Sequence, residues 1–401
     1  QDIDGSYRSY YEVFVYSFYD SDGDGVGDLK GLTQSLDYIN DGDPSTDTDL
    51  GCTGIWLMPI MPSPSYHKYD VTNYMDIDPQ YGSMEDFREF LEAAHQRGIH
   101  VIIDFVMNHT SSGHPWFQEA SGYLRTLEKG EDPDPEACPY VDYYNFSREP
   151  STCQLEGTEW YYEAPFWSGM PDLNLNSEAV RAELEEIVSF WLDLGVDGFR
   201  LDAAKEFVSG ATEANIEILT WFNDMVKAKK SDAFIVAEVW TDLSTYSQYY
   251  ASGVSCFNFS FGNSEGVIPN VVKHVSGADA SSYGKAIMKL QDALSAYNPD
   301  YIDAPFYTNH DMGRAAGHYF NEYSAHQTKM AQALNLLMSG SSFLYYGEEL
   351  GMKGSGKDEN KRAPMYWSDS PDCAGLCDGP ADQYKRAPMY WSDSPDCAGL
   401  C

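Results

Sequence analysis

Eight short apolar runs, most of them separated by stretches of helical periodicity, limit what this chain can fold into more than any other feature. They lie at Val13 to Phe18, Thr53 to Ile60, His100 to Phe105, Val196 to Leu201, Ala233 to Trp240, Cys256 to Phe261, Ala304 to Tyr307 and Ser342 to Tyr346. Helix-like segments fall around Leu29 to Asn40, Ser83 to Arg97, Ser177 to Gly195, Thr212 to Lys229 and Gln327 to Met338. Strand and helix in alternation argue for the α/β class, and eight repeats predict a parallel sheet closed into a (β/α)8 TIM barrel. Polar residues cluster just after the runs, at the carboxyl ends where such barrels carry their active sites.

One interval does not fit the alternation. From Thr110 to about Asn176 the periodicity disappears, and a stretch rich in Tyr, Trp, Pro and acids is too long for an ordinary connection. The division expected is therefore 1–109 for the first part of the barrel, 110–176 for a small inserted domain after strand three, 177–354 for the rest of the barrel, and 355–401 for a tail. Cys138 and Cys153 flank an irregular part of the insertion and predict a disulfide in an oxidising compartment. Cys52 and Cys256 sit in apolar surroundings and read as buried thiols. The tail holds Lys361 to Cys377 and the same 17 letters again at Lys385 to Cys401. Two copies do not build a solenoid, and the four tail cysteines lack a zinc pattern, so the duplication reads as an artefact and no metal is assigned there.

Charge excludes whole classes of partner. With 25 basic and 63 acidic residues the net charge is -38, a surface that repels nucleic acid and anionic membranes and suits a neutral substrate. No apolar run approaches the ~20 residues that span a bilayer, and Gln1 to Asp4 is not a signal peptide, so an exported protein would be in its mature form.

The chemistry begins at Gly195 to Glu206. Arg200 and Asp202, two apart, point to the same side of a strand, where the guanidinium keeps the carboxylate ionised. That arrangement is either a structural ion pair or a nucleophile. Two further strand ends supply carboxylates, Glu238 and Asp311. Retaining glycoside cleavage needs an ionised carboxylate and a protonated one, and Glu238, facing other acids beside Val239 and Trp240, suits the second role. His109 and His310 either bind sugar hydroxyls or are packed histidines. The loop Ser65 to Tyr74 is dense in the aromatic and hydrogen-bonding groups a sugar ring needs. Asp20, Asp22, Asp24 and Asp28, interleaved with glycines, suit one hard cation; Gly31 stands where an EF-hand would have its bidentate Glu, so the loop is of another kind.

In order along the chain, Asp104 to His109, Met170 to Asn174, Gly198 to Lys205, Glu238 to Trp240 and Thr308 to Asp311 resemble the motifs of glycoside hydrolase family 13, the α-amylase family, across roughly residues 10 to 352. The resemblance implies Asp202 as nucleophile, Glu238 as acid/base and Asp311 as the carboxylate that holds sugar hydroxyls. It implies Arg200, His109 and His310 in the same subsite, Tyr69 stacking on its sugar, and Lys205 on the leaving-group side. It also implies Ca2+ in the 20–28 loop, with the Val26 carbonyl as a further ligand. Asn108 stays open as a ligand of a second ion: Glu206 stands where many α-amylases have a histidine, but that residue binds through its carbonyl, which tolerates the change. Tyr66 stands where exo-acting relatives carry an Asp, which favours internal cleavage, and the family's C-terminal β-sandwich is apparently missing. The function expected is retaining, endo-acting hydrolysis of α-1,4-glucosidic bonds in starch, glycogen and maltooligosaccharides by a secreted, extracellular monomer. The alternatives are an exo-acting oligosaccharide α-glucosidase or transglycosylase, and a non-catalytic glucan-binding relative.

Overall fold

A computed structural model describes residues 7–365 and 367. Eight strands form one parallel sheet: β1 (Ser9–Val13), β2 (Gly54–Leu57), β3 (His100–Phe105), β4 (Gly198–Leu201), β5 (Phe234–Ala237), β6 (Ser255–Asn258), β7 (Ala304–Pro305) and β8 (Ser342–Tyr345). Each strand pairs with the next in sequence, β8 pairs with β1, and a parallel bridge between Phe306 and Phe343 closes β7 onto β8. The expected (β/α)8 barrel is the fold.

Alternation along the strands splits the apolar residues into two cores. Tyr10, Trp56, Ile102, Val236, Phe257 and Phe343 fill the lumen, with Tyr10 stacked on Phe234 and Phe343 at 5.3 and 4.9 Å. Their neighbours Tyr11, Ile55, Val101, Phe199 and Ile235 face outward into the layer under the helices. The helices start where the sequence places caps. Ser83 and Asp86 form a capping box for Met84–Gln96, and Ser177 accepts from the Val180 N–H to begin Glu178–Leu194. Gly198 opens β4 with φ +155°, and a Cβ there would lie 1.8 Å from the Phe234 carbonyl oxygen. Only glycine lets β4 approach β5 so closely.

The first run departs from expectation. The strand is Ser9–Val13, and Val15–Ser17 forms a 3₁₀ turn. Val13, Phe14, Val15 and Phe18 are all buried, so continuous burial imitates a strand where the chain has already turned. The shift puts Glu12 inside β1 with the lumen parity of Tyr10. The segment Leu29 to Asn40 forms two short helices, Leu29–Gln34 and Leu36–Ile39.

Between β3 and the helix at Glu178 the chain leaves the barrel. It forms a helix (Pro115–Leu124), a 3₁₀ turn (Pro139–Asp142) and a two-stranded ribbon (Cys153–Gln154 with Tyr161–Tyr162), packed around Phe117, Tyr144 and Phe146. The disulfide expected here is not formed: Cys138 and Cys153 are both free. Arg148 ties the excursion instead, pairing with Asp132 and Glu159 at 2.6 and 2.8 Å over the Trp160 ring. Cys52 and Cys256 are free and buried, as expected. Among the described residues no helix is long and apolar enough to cross a membrane. The second copy of the repeat and the four tail cysteines lie outside the described residues.

Candidate active site

The lumen-facing positions at the carboxyl ends of the strands converge on one guanidinium. Arg200, fully buried, places Nη1 3.0 Å from Asp104 Oδ1 and 2.5 Å from Asp202 Oδ1, and faces Glu238 Oε2 with Nη2 at 3.0 Å. The last contact is an ion pair without hydrogen-bond alignment, since Nη2 lacks a hydrogen-bond partner. Trp56 lies under the guanidinium at 5.0 Å. Asp202 and Glu238 therefore stand side by side, and their side chains keep 11% exposure while Arg200 and Asp104 have none. Those two carboxylates can meet a substrate; the pair beneath them acts through them.

Burial raises Glu238 to about 7, with Arg200 pulling it down and Asp202 and Asp311 pushing it up. Burial likewise raises Asp104 to about 7 against the pull of Arg200. The turn after β4 supports Glu238: Ala203, in the left-handed region at φ +49°, donates its N–H to Oε2 at 3.0 Å, and the Ala204 N–H donates to the Glu238 carbonyl. Lys205 follows in the 3₁₀ turn Ala204–Glu206, exposed at the rim and 3.4 Å from Glu206.

Asp311 comes from the chain beyond β7. His310 Nε2 approaches its Oδ2 at 3.1 Å and Arg362 reaches its Oδ1 at 2.8 Å. Burial works to raise Asp311, but His310 and Arg362 outweigh it and hold the group well below the usual carboxylate range. Tyr69 donates its OH to Asp104 Oδ2 at 2.9 Å and lies stacked against His310. His109 supports that tyrosine from behind. Asn108 Nδ2 approaches its Nδ1 at 3.2 Å, so the ring proton sits on Nε2 and is donated to the Tyr69 carbonyl at 3.1 Å. Burial lowers His109 to about 4, and the ring is neutral.

All the expected carboxylates and their partners thus meet in one place. Sequence reasoning missed three others. Asp104 stood in a quoted motif without a role, Arg362 lies in the duplicated segment that was set aside, and Glu12 was hidden by the misplaced first strand. Arg362 also donates to the His310 carbonyl and to Tyr66 OH, so the first copy of the repeat builds part of the site.

The 20–28 loop lies apart from these groups in the sequence and forms its own cluster. Carboxylate oxygens of Asp20, Asp22 and Asp28 lie within 4.8 Å of one another. Asp24 stands outside that cluster and accepts the Val26 N–H at 2.7 Å, while Asp28 caps the helix Leu29–Gln34 through the Gly31 N–H. Asn108, the residue left open for a second ion, donates to Asp172 Oδ1 at 3.1 Å.

A parallel barrel whose carboxyl end pairs an ion-bound carboxylate with a second one of raised pKa has the two groups that retaining glycoside hydrolysis uses. Residues 12–401 match the alpha-amylase catalytic domain. The chain is 40% identical over 364 residues to Alpha-amylase 3 of Dictyoglomus thermophilum, covering 90% of this chain and 67% of that protein. It is 31% identical over 376 residues to the 4-alpha-glucanotransferase of Thermotoga neapolitana, covering 90% and 76%. Its fold superposes on Eubacterium rectale Amy13B with a TM-score of 0.87 and 54% identity, covering 92% of this chain and 71% of that one. The chain belongs to the α-amylase family, and it is a glycoside hydrolase of that type.

Proposed function

We propose that the enzyme cleaves internal α-1,4-glucosidic bonds of starch-like glucans with retention of configuration. The observation that carries this reading is the Arg200 fork, which holds Asp202 and Glu238 on adjacent strand ends while burial raises Glu238 toward the protonated form. Retaining cleavage sets two such carboxyls about 5 to 5.5 Å apart. Asp202 attacks the anomeric carbon as Glu238 gives its proton to the departing glycosidic oxygen, so the C–O bond breaks and a glucosyl ester forms. The same Glu238, now a carboxylate, takes a proton from water, which attacks that carbon and frees Asp202. Asp311, steadied by Arg362 and His310, accepts from sugar hydroxyls, and Tyr69 supplies the apolar face.

Internal cleavage is supported by Tyr66 in place of a chain-end carboxylate and by exposed aromatic faces near the site. Trp240 follows Glu238 stacked on Phe259 at 5.2 Å, and Phe166 lies against His109. Replacing Glu238 by Gln removes the proton donor: kcat on starch falls at least 10²- to 10⁴-fold while starch binding persists. Undiminished turnover would remove Glu238 from the acid/base role. The name of the 4-alpha-glucanotransferase relative favours a second reading, transfer of the glucosyl group to another glucan. Product analysis on starch and on maltooligosaccharides blocked at the nonreducing end separates the two, and release of glucose from free ends alone excludes the internal one.

The cluster of Asp20, Asp22 and Asp28 suits a structural Ca2+, because three carboxylates this close repel one another without a cation. Asp24 and the Val26 carbonyl complete the expected set once the loop turns them inward. We place the enzyme outside the cell, where starch is met as a polymer, and localisation by fractionation tests that placement.

A further inference from the structure

Glu12 is a buried carboxylate that the reaction above does not use. It sits on β1 with the parity of Tyr10, 1% exposed, and its Oε1 lies 2.6 Å from His310 Nδ1. We infer that Glu12 is a positioning residue, which keeps His310 doubly protonated so that Nε2 is a permanent donor to Asp311.

The argument rests on hydrogen-bond supply. Nε2 faces Asp311 Oδ2 at 3.1 Å and Tyr69 OH at 2.9 Å. Above pH 7, where Asp104 is ionised, Tyr69 spends its only proton on Asp104 Oδ2, so both groups facing Nε2 are acceptors and the nitrogen must carry hydrogen. Nδ1 faces the Glu12 carboxylate, which offers no proton when ionised, so that nitrogen carries hydrogen too. Both conditions together require an imidazolium.

The other groups around the ring agree. Trp56 on β2 presents an edge at 5.8 Å, and Arg362 binds the His310 carbonyl rather than the ring. Arg200 on β4 and Asp104 on β3 reach the ring through Tyr69, a cation and an acid of opposite effect. Burial works to lower His310, yet Asp311 and Glu12 outweigh it and raise it to about 10. Burial pushes Glu12 itself up while His310 pulls it down. A neutral His310 would turn a lone pair either on Asp311 or on Glu12. Asp311, placed by His310 and Arg362 together, would then lose one of its two anchors.

The consequence for catalysis rests on the α-amylase-type reading of Asp311, so the test separates the two. In ¹⁵N-histidine-labelled enzyme, the His310 ring, identified by its absence in His310→Gln, is an imidazolium at pH 8. In Glu12→Gln, whose amide oxygen still accepts from Nδ1, its titration falls by more than two pH units, from about 10 to below 8. On p-nitrophenyl maltoheptaoside blocked at its nonreducing end, the wild-type to Glu12→Gln ratio of kcat/KM stays within about threefold at pH 5. It rises by about tenfold for each unit that His310 falls below the assay pH, toward pH 8. Glu12→Asp keeps the charge, and its ratio to wild type is flat with pH. A neutral His310 at pH 8 in the wild type overturns the proposal, as does a Glu12→Gln ratio that ignores pH; the first measurement stands even where Glu12→Gln does not fold. Enzyme inactive on every glucan would instead sink the functional reading and leave the ring titration to decide Glu12.

Discussion

Replacing Arg200 by Met tests how the site holds its acids. The side chain is fully buried and faces three carboxylates at 2.5 to 3.0 Å, so its loss leaves buried negative charge without a partner, a change that typically costs about 3 to 5 kcal/mol. The carboxyls can escape that cost only by holding protons. Burial already raises Asp104 and Glu238 to about 7 with Arg200 opposing the rise, and without Arg200 both go higher. A carboxyl raised in the folded state binds more protons there than in the unfolded chain, so its contribution to stability falls as pH rises toward the folded pKa. Above pH 7 the wild type has released those two protons and the variant has not. Each retained proton widens the stability gap by up to about 1.36 kcal/mol per pH unit, so, with both groups half released at pH 7, two widen it by about 2 kcal/mol between pH 7 and pH 8. Urea unfolding of both proteins at pH 5, 7 and 8 measures the gap, and kcat is lost in the variant throughout. A gap of equal size at pH 7 and pH 8 would show that Arg200 does not govern those protons, and the account of Glu238 as a tuned acid would fail with it.

Two further outcomes follow from the backbone and the loop. Gly198→Ala drives a Cβ to within 1.8 Å of the Phe234 carbonyl at φ +155°, so β4 must shift. We expect at least about 3 kcal/mol of destabilisation by urea unfolding, and at least about a 10²-fold loss of kcat as Arg200 and Asp202 move by an ångström; a variant with wild-type values would refute the close approach of β4 and β5. For the Asp20, Asp22 and Asp28 cluster, Ca2+ at 100 times its Kd stabilises the fold by about 2.7 kcal/mol. EDTA therefore lowers Tm and added Ca2+ restores it, and Asp20→Ala abolishes the difference; a Tm indifferent to both sinks the ion.

Legibility followed physical cause. The helix Glu178–Leu194 was readable because the Ser177 cap and a one-sided apolar stripe mark it, and Thr212–Lys229 because Ile218, Leu219, Phe222, Met225 and Val226 recur on one face. β4 and β5 were readable because apolar runs stop at charged residues. β1 was not, because all of Val13 to Phe18 but Tyr16 is buried and burial without alternation carries no period. That one error hid Glu12. Arg362 was hidden differently: it is remote in sequence from every motif, and only folding brings it within 2.8 Å of Asp311. Asp24 shows the limit of spacing in the other direction, since alternate acids on a tight loop need not point inward together.

The buried site also obeys a count that no single residue shows. Glu12, Asp104, Asp202, Glu238 and Asp311 are five carboxyls, and Arg200, His310 and Arg362 are three cations. Buried charge must be paired or neutralised, so the two carboxyls in excess hold protons near neutral pH. The two are Asp104 and Glu238, both raised to about 7. Only Glu238 of that pair keeps exposure, and only an exposed acid can pass its proton to a glycosidic oxygen. Arg362 and the Glu12-bound His310 secure Asp311 as an anion, and Arg200 is shared by Asp104, Asp202 and Glu238. With Asp311 charged, the exposed proton is left on the residue that has to give it away. Removing Arg362 or neutralising His310 would raise Asp311, which acts only as a carboxylate.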